Sequence, residues 1–234
     1  MHPSAHAQMA LSVQRYMEPG RRYDVLDFGS GTSPRQTMTH RSILEDYDVA
    51  YTGVDVREGN NIDIPMPKPC KIPLKSKSFD VVLSGQVFEH VPFFWASLLE
   101  IARVMRPQAY FFMTVPSRGH VHTDQDCWRV YPDGLRAMAA WSRLNLVEAF
   151  TDFPPRYPAE QDPRPKRKHD YGSIDSDNYY WGDTVGVFRK PKKYPELRAA
   201  VLRAAVLTWA NKIGGIGGVA EAKPQGRKNV LGVG

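Results

Sequence analysis

Three stretches of the sequence gather residue types that can bind or transform a ligand. The first is VLDFGSGTSP at 25–34, an apolar run that ends in a carboxylate and turns through two glycines toward a helix expected near Pro34. Glycine permits the tight turn and lets a ligand approach the backbone. Such turns also serve nucleotide binders and plain connections, but the third glycine of the dinucleotide fingerprint, where a pyrophosphate would sit, is missing here. Asp27 at the strand end suits a positively charged ligand, such as an amino-acid ammonium beside a sulfonium. The second stretch is YTGVDV at 51–56, where Asp55 closes a strand 24 positions after Gly31. An acid there can accept both hydrogen bonds of a ribose diol, or simply cap a helix. The third is IPLKSKSFDVVLSGQVFEHV at 72–91: a buried strand emerges at Gly85, with Gln86, an aromatic and a Glu89-His90 pair at its mouth.

A fourth group follows in VPSRGHVHTDQDCWRVYPDGL at 115–135. His120 and His122 alternate with Asp124 and Asp126, an arrangement that suits a histidine base oriented by a carboxylate such as Asp126. The same residues, His122 and Asp124 above all, suit a divalent cation such as Mg, and they equally suit a polar capping loop. Trp128 and Tyr131, with Tyr179, Tyr180 and Trp181, are candidates for a stacking wall, and aromatics are also ordinary core material. Arg118 and Arg129 are placed to bind hydroxyls or an anionic group.

Positioning these groups takes a sheet with helices around it. Short β-branched runs at 23–28, 50–55, 79–84, 110–115, 145–151 and 184–188 alternate with helical patterns at 5–17, 93–105 and 194–213, plus a helix started by Pro132. That alternation predicts a doubly wound α/β domain, mostly parallel, with helices on both faces. The 234 residues fit one such domain over 1–213, with an irregular lid or loop at 152–180 and a flexible tail at 214–234. Two cysteines exclude a disulfide scaffold, and with no membrane-length apolar run or leader the expected location is the cytoplasm. The net charge of +6 is uneven: 15 Lys and Arg against 8 Asp and Glu fall at 155 or beyond. A solvated face accounts for this, since no aromatic-interleaved nucleic-acid signature accompanies it.

The D-x-G-x-G turn, the acid ending the next strand, and the P-L, F-D-V-V and E-H-V blocks together resemble the class I S-adenosylmethionine-dependent methyltransferases of the small-molecule type, over roughly residues 22–135. The resemblance implies a Rossmann-like seven-stranded sheet with an antiparallel last strand and S-adenosyl-L-methionine over the strand ends. It implies that Asp27, Gly29, Ser30 and Gly31 bound the cofactor's amino-acid end, Asp55 the ribose, Val56 the adenine, Pro69 and Cys70 the adenine edge, and Gly85 and Gln86 the methionyl part. Lys68 departs from the pattern, which carries an acid before the Pro69 position. W-R-x-Y-P-D-G-L at 128–135 is similar to bacterial glycan methyltransferases, of an actinobacterial mannoside O-methyltransferase type. This implies a saccharide acceptor lined by Arg118, Trp128, Arg129 and Tyr131, no nucleic acid or membrane partner, and His120 or His122 taking the hydroxyl proton. His90 reads as structural, capping the helix after it. The alternatives are an RNA or protein methyltransferase drawn by the basic third, and a silent cofactor-binding module.

Overall fold

The apolar runs pair into one seven-stranded sheet in a computed structural model that describes residues 3–32, 36, 38–68, 70–119, 121, 125–151 and 182–212. The strands are β1 (Tyr23–Phe28), β2 (Val49–Asp55), β3 (Ile64–Pro65), β4 (Phe79–Gly85), β5 (Met105–Arg118), β6 (Asn145–Thr151) and β7 (Gly182–Arg189), in the order β3-β2-β1-β4-β5-β7-β6. Every pairing from β3 across to β5 is parallel, whereas β7 runs antiparallel to both β5 and β6. The antiparallel last strand is thus inserted between β5 and β6.

Alternation along each strand sends neighbouring side chains to opposite faces. Leu26, Val82, Phe111 and Phe188 pack on one face with Leu98 and Ile101 of α3 (Phe94–Val104) and Leu135 and Met138 of α4 (Pro132–Ser142). Val25, Val81, Phe112 and Val187 pack on the other with Met9 and Val13 of α1 (Pro3–Tyr16). A sheet covered on both faces needs apolar residues at consecutive positions, which is why these strands read as continuous runs. Pro132 opens α4, and Arg143 in the left-handed region (φ 59°) closes it.

The structure differs from the sequence reading in three places. The expected helix at Pro34 is, among the described residues, the single turn α2 (His40–Ile43). β5 runs back through Pro107 to Met105, which pairs with Phe79 across a register shift, so Pro107 stops α3 without stopping the strand. β3 was not expected. The segments 152–180 and 214–234 lie outside the described residues. Among those described, no helix is long and apolar enough to cross a membrane.

α5 (Glu196–Lys212) lies over α3, with Val206 and Leu207 against the Cys70–Ala96 cluster. Where α3 ends, its carbonyls meet Lys190, a fully buried cation. Its Nζ donates to the carbonyls of Ala102 at 2.7 Å and Met105 at 3.0 Å and lies 3.1 Å from Glu196 Oε1. Burial holds this amine below the ordinary lysine range, and the ion pair and the helix C-terminus keep it satisfied. Lys190→Met should therefore strand two carbonyls and cost about 1–3 kcal/mol in urea denaturation; unchanged stability would mean the carbonyls find other donors.

Candidate active site

The C-terminal ends of β1 and β2 make one half of the site. Gly29, directly after β1, sits at φ +80°, a region that favours glycine. Its N–H and that of Ser30 both donate to the carbonyl of Val54, at 2.8 and 3.1 Å, pinning the turn to β2. A Cβ on Gly29 would lie 2.3 Å from Val87 Cγ2 in the segment after β4, so a side chain here would collide as well as strain the backbone. Gly31 N–H donates to Asp55 Oδ2 at 3.0 Å, and Asp55 Oδ1 accepts from Arg57 N–H at 3.2 Å. Asp55 is half-buried and each of its oxygens keeps acceptor capacity, while Val56 beside it is 47 % exposed. A charged acceptor next to a bare apolar side chain fits a ribose diol and a flat base.

Asp27 is buried, and its partners are protein groups. Oδ1 lies 2.8 Å from His40 Nδ1, and Oδ2 accepts from the Tyr51 hydroxyl at 2.5 Å. Asn61 Nδ2 donates to that tyrosine oxygen and to the carbonyl of Ser30, while the Ser30 hydroxyl donates back to the carbonyl of Asn61 at 2.7 Å. Burial, then the Asp27 charge, pushes the Tyr51 hydroxyl above its usual range, so it stays a donor. Asp27 and Ser30 thus tie the glycine turn to α2 and to the loop after β2.

The ends of β4 and β5 make the other half. Gln86 leaves β4 in the left-handed region (φ 58°), donates its N–H to the carbonyl of Thr114 and reaches Asp183 Oδ1 with Nε2 at 3.1 Å. A 3₁₀ turn, Phe88–His90, follows. Four hydrogen bonds stitch it to the segment after β5: Cys127 N–H to the Glu89 carbonyl, Gln125 Nε2 to the His90 carbonyl, Trp128 Nε1 to the Val91 carbonyl, and His90 Nδ1 to the Gln125 carbonyl. A carbonyl only accepts, so His90 carries its hydrogen on Nδ1. Its Nε2 lies 3.6 Å from Glu89 Oε1. Glu89 is fully buried, and among the described residues neither carboxylate oxygen has a hydrogen-bond partner. Desolvation first, then the nearby Asp126 charge, pushes its carboxyl up to about 8, with Arg129 opposing. The Asp126 side chain is itself buried in a two-pronged pair with Arg129, at 2.5 and 2.7 Å.

Residues 26–113 match the family model described as a methyltransferase domain. This stretch is similar to a methyltransferase domain. The "Probable S-adenosylmethionine-dependent methyltransferase" of Mycolicibacterium smegmatis is 33 % identical over 107 residues, 41 % of this chain; the match covers 38 % of that relative, about two fifths of its length. Two solved methyltransferases share the fold. The Burkholderia thailandensis 1,6-didemethyltoxoflavin-N1-methyltransferase, with bound 1,6-didemethyltoxoflavin and S-adenosylhomocysteine, has a TM-score of 0.55 at 17 % identity, covering 80 % of this chain and 79 % of that one. The Haemonchus contortus phosphoethanolamine N-methyltransferase 2 has 0.52 at 15 %, covering 79 % and 53 %. The [4+2]-cyclase SpnF shares it too, with 0.56 at 16 %, covering 80 % and 81 %, so the fold by itself does not fix a reaction.

Within residues 26–113 the glycine turn and Asp55 come together beside Val56, Gly85 ends the neighbouring strand and Gln86 follows it. Asp27, expected to face a cationic ligand, has His40 and Tyr51 as partners. Cys70, expected at the adenine edge, packs with Ala96 beneath α5. Asp126, expected to orient a histidine base, pairs with Arg129. Arg118 ends β5 against Gly182, where a Cβ would lie 2.6 Å from its Nε. Pro69, His120, His122, Asp124, Tyr179, Tyr180 and Trp181 lie outside the described residues. Among the described residues, no three His, Cys, Asp or Glu side chains are grouped to hold a metal. The sequence reading missed the buried Glu89 carboxyl; the E-H pair was its signal.

Proposed function

We propose that this chain transfers a methyl group from S-adenosyl-L-methionine to a hydroxyl of a small acceptor, a saccharide of glycan or polysaccharide biosynthesis, in the cytoplasm. The observation that carries the cofactor part is the half-buried Asp55 carboxylate, held against the glycine turn beside exposed Val56. Asp55 would hold the ribose, Val56 the adenine, and the 29–31 turn with Gly85 and Gln86 the methionyl end. Bound there, the cofactor supplies an electrophilic methyl on a sulfonium. The chain's own task is to align the acceptor oxygen and take its proton, and alignment alone can lower a barrier by several kcal/mol. His120 or His122 takes that proton, and Arg118, Trp128, Arg129 and Tyr131 line the acceptor. A divalent cation on His122 and Asp124 is the variant of this reading that a chelator tests.

The test is a panel of saccharide hydroxyl acceptors offered with methyl-labelled cofactor: label in a methyl ether supports the proposal, and cofactor binding without transfer to any saccharide overturns the acceptor assignment. Asp55→Ala should weaken S-adenosylhomocysteine binding by about 1–3 kcal/mol, since the ribose hydroxyls lose their charged acceptor. Calorimetric titration reads this, and an unchanged affinity would remove Asp55 from the site.

A further inference from the structure

Beside the stitched 88–91 and 125–128 segments lies a cavity of about 890 Å³ between α3 and α4. Its walls include Phe94, Trp95, Trp128, Tyr131, Met138 and Trp141. The indoles are set edge to face: Phe94 and Trp95 each meet Trp128, with centroids 5.4 and 6.4 Å apart. Two of the three indole N–H groups are already spent on backbone carbonyls, Trp128 on Val91 at 3.0 Å and Trp141 on Trp95 at 2.8 Å. An indole has no other polar atom, so these two rings offer the cavity only carbon surface. Of the charged lining residues, Arg129 is held by the Asp126 carboxylate, while the Asp133 side chain is almost fully exposed to solvent. A wall that offers so few hydrogen-bonding groups can pack on the apolar face of a sugar ring, but hydroxyls directed into it would lose water without replacement. It suits hydrocarbon, and its volume is that of a small-molecule pocket.

The cavity is next to the methyl-transfer site in the chain. Phe94 and Trp95 begin α3 eight residues or so after Gln86, and Trp128 to Tyr131 bridge the end of β5 to α4. We infer that it holds an apolar group of the acceptor, an alkyl chain or aromatic ring of about four carbons or more, attached to the part that carries the methylated hydroxyl. The inference rests on the methyltransferase reading above and adds an anchor to it: the acceptor is amphipathic, with its polar part at the strand ends and its hydrocarbon between the helices.

The probes are methyl, butyl, hexyl and octyl β-glucosides below their micelle-forming concentrations, titrated into the full chain with tryptophan fluorescence as the readout. Affinity should rise about threefold to fourfold per buried methylene until the cavity is full. Ala137 lines the cavity from the exposed side of α4; Ala137→Trp should obstruct it and weaken the chain-length dependence. Ala137→Lys, which puts a charge there, should do the same and serves if the tryptophan variant does not fold. Leu197→Ala, on the exposed face of α5, should leave the dependence intact. A flat series, or a chain-length dependence undiminished in both Ala137 variants, overturns the inference. Calorimetry with S-adenosylhomocysteine on the same proteins separates the two readings: failure to bind it sinks the methyltransferase proposal, whereas normal binding with a flat glucoside series sinks only the anchor.

Discussion

His120→Ala or His122→Ala is expected to lower methyl transfer by roughly two to four orders of magnitude while leaving S-adenosylhomocysteine affinity nearly unchanged. A hydroxyl is a poor nucleophile near neutral pH, and a positioned base that takes its proton acts on turnover and not on cofactor binding. These histidines come two and four positions after β5 ends at Arg118. Asp126 is occupied by Arg129, so the base needs another orienting group or works without one. Steady-state turnover with labelled cofactor, set beside calorimetric affinity, reads both halves of the expectation. Full activity in both variants would refute it and move the search to Glu89 and His90, where an imidazole nitrogen already lies 3.6 Å from a buried carboxylate oxygen.

The second large effect is on stability and comes from Glu89. Its carboxyl is pushed up to about 8 in the folded chain from an ordinary value of 4.5. Between those values the folded state keeps a proton that the unfolded state has released. The contribution of this group is therefore fully present below pH 4.5 and is lost as pH rises through 8, with a slope of up to about 1.4 kcal/mol per pH unit. Glu89→Gln cannot ionise and removes that slope. Urea denaturation at pH 5, 7 and 9 should show the variant close to the parent at pH 5 and clearly more stable at pH 9. Parallel stability curves for the two proteins would show that the Glu89 carboxyl is solvated after all.

What could be read from the sequence was whatever repeats locally. β1 and β6 fall where short apolar runs put them, and the glycine turn announces itself because no other residue takes φ +80° so readily. β3 escaped because two residues, one of them proline, carry no period, and its place comes from pairing with β2. Pro107 misled because its cost to a strand depends on which neighbour it faces. The hardest features were made by distant partners. Asp27 looked like an open carboxylate until the fold brought in His40, 13 positions away, and Tyr51, 24 positions away. Glu89 read as one of a pair at a strand mouth, and the fold buries it completely, with the chain returning at 125–128 to bond its turn. The aromatic cavity likewise joins Trp95 and Trp141, which no spacing connects.

The bond between Gln86 and Asp183 continues outward, because the second oxygen of that buried aspartate accepts from the Ser4 hydroxyl of α1 at 2.6 Å. One turn of the first helix is thus a latch on the loop that follows β4. Proteolytic trimming of the first few residues, or a bulky fusion pressed against them, would be felt at Gln86 though neither touches the strand ends. Limited digestion with and without S-adenosylhomocysteine would expose this linkage, since a ligand seated by Gln86 should slow cleavage at a terminus remote from it in sequence.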